Sequence, residues 1–98
     1  MKVTLIEFLK EYKLKLIIRR NIHNPYQYSC EILNAWMKHK YFYINVYGKG
    51  NTEIEAINDF ITNINGKVLF FNIDNKNKKR ILKVPSIALV RENDECLS

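Results

Sequence analysis

Two histidines, two cysteines, a few carboxylates and one Gly-x-Gly segment are the groups in this 98-residue chain whose chemistry could be catalytic. His23 lies among turn residues and His39 between two lysines, and neither has a nucleophile or carboxylate at a recognisable motif spacing. Cys30 alternates with apolar neighbours, so it reads as an inward strand position where a thiol is inert, and Cys96 falls in a polar tail. The cysteines and histidines lack metal-ligand spacing. Glu53, Glu55 and Asp59 crowd one helix start, where the helix dipole accounts for them without a general acid. Gly48-Lys49-Gly50 stands between a strand and a helix, as a phosphate loop would. It lacks the further glycine of a dinucleotide fingerprint and the Gly-Lys-Ser/Thr ending of a triphosphate loop, so it reads as a plain turn. No catalytic residue, metal or cofactor site is assigned, and the chain reads as a non-enzyme.

Binding chemistry is better represented. The clearest strand runs from Tyr41 to Tyr47, with Phe42, Ile44 and Val46 on one side. If those three face the core, Tyr41, Tyr43 and Tyr47 point away and form a flat amphipathic surface, suited to protein contact or to stacking on bases. Cations gather in three places: Lys13, Lys15, Arg19 and Arg20; Lys38, His39 and Lys40; and Lys76, Lys78, Lys79, Arg80 and Lys83. The net charge of +6 favours anionic partners. The expected binding residues are Tyr41, Tyr43, Tyr47, Lys38 and Lys40, with Lys76, Lys78, Lys79 and Arg80 as a second patch.

The elements that must position these groups follow from periodicity. Thr4 and Glu7 have capping-box spacing, and Leu5, Phe8, Leu9 and Tyr12 then recur as one helix face. Lys13 to Arg20 alternates as a half-buried strand, Asn21 to Pro25 is turn chemistry, and Tyr26 to Leu33 alternates again. Asn34 to Lys40 reads as a connection leading into the tyrosine strand. Gly48 to Asn51 reads as a break, before a second capped helix from Thr52 whose apolar face is Ile54, Ile57, Phe60, Ile61 and Ile64. Gly66 is placed to close that helix in a left-handed conformation. Val68 to Asn72 and Arg80 to Val84 form a hairpin that stops at Pro85. The predicted fold is α+β: a helix, a three-stranded antiparallel meander, a helix packed on one face, and a C-terminal β-hairpin. Residues 1–90 form one domain, the pattern fading after Pro85, and 91–98 form a frayed tail.

The hydrophobic fraction of 47% fits a folded protein, and the start of the chain enters an amphipathic helix instead of a long apolar run. A cytoplasmic protein without membrane contact is therefore expected.

The stretch Tyr43 to Phe60, carrying Gly48-Lys49-Gly50-Asn51-Thr52-Glu53-Ile54-Glu55-Ala56, resembles the strand-to-helix unit of HicB-like antitoxins, whose partial fold is similar to the double-stranded RNA-binding domain. The whole chain, by its size, its Ile, Asn and Lys content and its opening Glu7-Phe8-Leu9-Lys10, resembles small accessory proteins of bacteriophages and prophages of AT-rich hosts. Anti-CRISPR proteins, which block a nuclease complex by binding it, are among these. That resemblance implies a non-catalytic inhibitor of a host nucleic-acid-handling defence complex, with a host protein or ribonucleoprotein as partner. Direct RNA or DNA binding, and homodimerisation through the tyrosine face, are the alternatives.

Overall fold

The computed structural model describes residues 2–22, 25, 27–75 and 77–91. The fold is α+β, and the described residues form two helices and seven strands in two antiparallel sheets: α1 (Leu5–Tyr12), β1 (Leu16–Arg20), β2 (Tyr28–Ile32), β3 (Ala35–His39), β4 (Phe42–Asn45), β5 (Gly48–Gly50), α2 (Glu53–Ile64), β6 (Val68–Phe71) and β7 (Arg80–Lys83). His23, Lys76, Cys96 and nearly all of the expected 91–98 tail lie outside the described residues. Among the described residues no helix is long and apolar enough to cross a membrane.

Local signals set the helix ends. Thr4 Oγ1 accepts from the Glu7 N–H at 3.1 Å while Glu7 Oε1 accepts from the Thr4 N–H at 3.1 Å, the reciprocal box its spacing predicts. These bonds hold the exposed Glu7 carboxyl below the usual carboxylate range, so the box weakens as pH falls through that lowered value. At α2, Thr52 Oγ1 accepts from the Glu55 N–H, and Gly66 closes the helix with a φ of 72°.

The expected three-strand meander is realised as a bent ribbon. The segment expected to connect, 34–40, is largely strand β3. Leu33 and Asn34, the latter with a φ of 62°, kink the chain so that β2 continues into β3 in another sheet. The return strand bends likewise at Val46 and Tyr47, so the single strand expected over 41–47 becomes β4 and β5, and Gly48–Gly50 is strand where a break was expected. The sheet orders are β1-β2-β5 and β4-β3-β6-β7. Thus β1 and β6 lie end to end along one edge of the ribbon, across from β5 and β4.

Register assigns the faces, because residues directly opposite share a side. Cys30 opposes Gly48 and Tyr28 opposes Gly50, and this face receives α2. A Cβ at Gly48 would sit 2.2 Å from the Ala56 carbonyl oxygen, and one at Gly50 would sit 2.5 Å from the Ala56 nitrogen. The two glycines therefore let a helix backbone lie directly on an edge strand. Beyond them Cys30, Ile32, Phe60, Ile61 and Ile64 join Phe8, Leu69, Phe71 and Leu82 in one core.

The alternation expected along the tyrosine strand holds, but its consequence for burial does not. Val46 is buried, whereas Phe42 and Ile44, on the same side, are 69% and 44% exposed. Toward its turn the β3–β4 hairpin overhangs the core, with no residue of 38–44 buried.

The chain beyond Pro85 is docked, although its sequence shows no period. Asn58 of α2 and Asn65, which caps its C-terminus, each clasp this backbone with a donor and an acceptor. Asn58 exchanges bonds of 2.9 and 2.7 Å with Val90, and Asn65 exchanges bonds of 3.1 and 2.8 Å with Ile87. Val3 bonds to Ser86 and Ala88 on the other side. Side-chain amides thus do the work of a neighbouring strand, a role that hydrophobic periodicity does not reveal.

Gly48→Ala should unfold the protein or cost more than about 3 kcal/mol, since the clash is with backbone. Gly66→Ala, with open space around it, should cost only about 1 kcal/mol from its left-handed φ. Urea denaturation followed by far-UV circular dichroism separates the two; equal losses would contradict the close approach.

Candidate binding face

The face of the four-stranded sheet opposite the core carries the most suggestive side chains. One cross-strand row, Asn45–Trp36–Phe70–Ile81, runs through all four strands. Beside it lie the pairs Tyr43–Lys38 and Val68–Lys83. These three rows contain no carboxylate. Both helices lie on the other side: α2 against Gly48 and Gly50, and α1 where Arg80, directly across from Phe71, donates to the Tyr12 carbonyl at 2.9 Å. Trp36, Tyr43, Phe70 and Val68 are half-buried by one another, and Ile81 is 63% exposed.

Within this face the Tyr43 and Phe70 rings meet edge to face at 5.4 Å and 68°. Lys79 Nζ donates to Tyr43 Oη at 2.8 Å and stands 5.4 and 5.7 Å from the two ring centroids. That placement orients both rings and fixes a cation over them, an attraction worth about 0.5–1 kcal/mol at an exposed site. The Trp36 Nε1–H is buried and has no hydrogen-bond partner among the described residues. Its neighbours in the row are apolar on the Phe70 side, so the indole is held by packing alone.

Three of the residues expected from sequence, Tyr43, Lys38 and Lys79, are brought together here. Tyr47 continues the same face along the return strand, with Lys49 Nζ 4.9 Å from its ring centroid. Lys40 and Tyr41 form the two-residue turn of the overhanging hairpin, Lys40 with a φ of 55° and Tyr41 91% exposed. Lys78 lies in the β6–β7 loop, where its carbonyl accepts from Asn72 Nδ2. Arg80 points the other way, its guanidinium 5.6 Å from the Tyr12 ring and 5.8 Å from the Phe71 ring. Trp36, Phe70, Ile81 and Lys83 were not among the expected site residues. Val68–Phe71 is apolar throughout, so its sequence does not say which alternate pair, Val68 and Phe70 or Leu69 and Phe71, faces out.

Among the described residues no three of His, Cys, Asp and Glu come together. His39 is exposed beside Phe42 at the end of the hairpin. Cys30 is 1% exposed, and burial, reinforced by the neighbouring Glu31 charge, pushes its thiol from 9.0 up to about 12. No family model matches the chain, and neither does any curated protein or solved structure.

The raised Cys30 value gives a signed expectation. An unfolded thiol ionises at about pH 8.5–9, well below that, so the native state holds the proton longer and stability falls as pH rises above about 9. In a Cys96→Ser background at pH 8, Ellman's reagent should label Cys30 only in denaturant. Labelling of native protein at the rate of a free thiol would contradict the assigned burial.

Proposed function

We propose that this protein is a non-catalytic binding module whose working surface is the open face of the four-stranded sheet, and that the partner is single-stranded nucleic acid. The observation that carries this reading is the row through Trp36 and Phe70, flanked by Tyr43 and by Lys38, Lys79 and Lys83, with no carboxylate among its strand partners. Aromatic faces on a solvent-facing sheet stack on bases at about 1–3 kcal/mol per base, and lysines beside them neutralise phosphates. The net charge of +6 acts in the same direction.

A second reading is favoured by a different observation, the overhanging hairpin with Tyr41 and Phe42 exposed at its tip. Large aromatics at a protruding turn are anchors of the kind that dominate protein interfaces. On this reading the protein is a phage-type inhibitor that blocks a host nucleic-acid-handling defence complex of the CRISPR effector kind by binding its protein surface.

Fluorescence anisotropy with a labelled single-stranded oligonucleotide tests the first reading. Three neutralised phosphates predict a slope of log affinity against log salt of about −2. Lys38→Ala with Lys79→Ala should weaken binding about tenfold, while Lys10→Ala on α1 should not. No binding at low salt, or equal losses from both changes, would remove it. The second reading predicts that Tyr41→Ala with Phe42→Ala abolishes inhibition of target cleavage by a purified effector while leaving oligonucleotide affinity intact. Inhibition that persists in this variant excludes the hairpin as the anchor.

A further inference from the structure

Where the two sheets part at Leu33 and Asn34, β1 and β6 leave a notch between them along the ribbon edge. We infer that this notch is a binding site for a phosphate group. Its cavity of about 270 Å³ is lined by Lys13, Lys15 and Arg80 together with Asn34, Asn72 and Phe71, and by no carboxylate. None of the three cations meets a carboxylate among the described residues. Three exposed cationic residues border one concavity without a counter-charge, and their combined potential favours an anion there.

The notch is built of held parts. Arg80 is fixed by its bond to the Tyr12 carbonyl and by the Tyr12 and Phe71 rings, which leaves further guanidinium N–H donors free for the forked contact that phosphate accepts. Asn34 Nδ2 donates to Asn72 Oδ1 at 2.8 Å and Asn72 Nδ2 to the Lys78 carbonyl at 3.0 Å, so these amides brace the rim. Lys13, Asn34 and Asn72 all adopt left-handed backbone, with φ of 56°, 62° and 55°. That conformation makes Lys13 the C-cap of α1, its N–H bonding to the Leu9 and Lys10 carbonyls, and makes Asn34 the kink between β2 and β3, so the fold itself sets these lining positions. The volume lies at the lower edge of small-ligand pockets, about 300–1,000 Å³, which leaves room for a phosphate and its attached sugar.

The phosphate could come from a free nucleoside monophosphate or from a nucleic-acid strand, and the test distinguishes them. Amide NMR spectra of the labelled protein are titrated at constant ionic strength with inorganic phosphate, adenosine monophosphate and a single-stranded oligonucleotide. Shifts of the Lys15, Leu33 and Asn34 amides by the first two, weakened at least tenfold in Lys13→Ala with Lys15→Ala, support a free phosphorylated ligand. Shifts there by the oligonucleotide alone, lost in the same variant, assign the notch to a strand phosphate. Notch amides unmoved by all three, or a variant that responds as the wild type does, overturn the site. Oligonucleotide shifts confined to Trp36 and Phe70 would sink this inference while leaving the open-face reading intact.

Discussion

The backbone of α2 lies on β5 with no space for a Cβ at Gly48 or Gly50, and the rest of the molecule is arranged around that contact. Because the helix sits so close, its next turns reach across β2 and bury Phe60, Ile61 and Ile64 completely. The same seating presents Asn58 and Asn65 to the chain after Pro85, and those amides hold it by four backbone bonds. Each bond is worth about 1 kcal/mol net, and together they draw Ile87 into the core and give Val3 a partner. The edge strand benefits too: the Lys49 N–H, on the free side of β5, is taken by Asp59 of the helix.

Placing both helices on one side leaves the opposite sheet face without cover. A solvent-facing sheet side is normally polar, and on β1 and β2 it is largely so, with Arg19, Ser29 and Glu31 beside Ile17, and Arg19 and Glu31 paired at 2.6 Å. The second sheet does not follow that pattern. It sets a half-buried tryptophan, phenylalanine and tyrosine and an exposed isoleucine in adjoining positions, with lysines beside them. Packing within the fold does not require aromatics there, since the core is completed from the other face. This contrast between two halves of one ribbon is the reason the open face, and not the glycine segment or the histidines, carries the functional reading.

Much of the fold was legible because its signals are local. Thr4, Glu7, Thr52 and Gly66 mark helix ends through bonds and dihedrals within a few residues, and the 3.6-residue spacing of α2 is unambiguous. Gly48-x-Gly50 reads as a turn in sequence and is a strand in the structure, because a missing Cβ looks the same whether it serves a turn or a close helix. The segment 34–40 was misread because Ala35 is small on the inward side while Trp36 is large on the outward side, reversing the usual contrast. For the site, Tyr43, Lys38 and Lys79 could be named from alternation and charge. Trp36 and Phe70 could not, since large apolar residues on strands are ordinarily core. Lys79 and Arg80 are neighbours in sequence, and strand parity sends one to the open face and the other to α1.

The chain has a single tryptophan, and it stands in the middle of the proposed surface. Its fluorescence during titration with an unlabelled single-stranded oligonucleotide at low salt is the most direct test of that surface. The account predicts saturable quenching as bases stack beside Trp36, reversed by added salt. An emission spectrum that stays unchanged while binding is registered by another probe would place the ligand elsewhere and contradict the account.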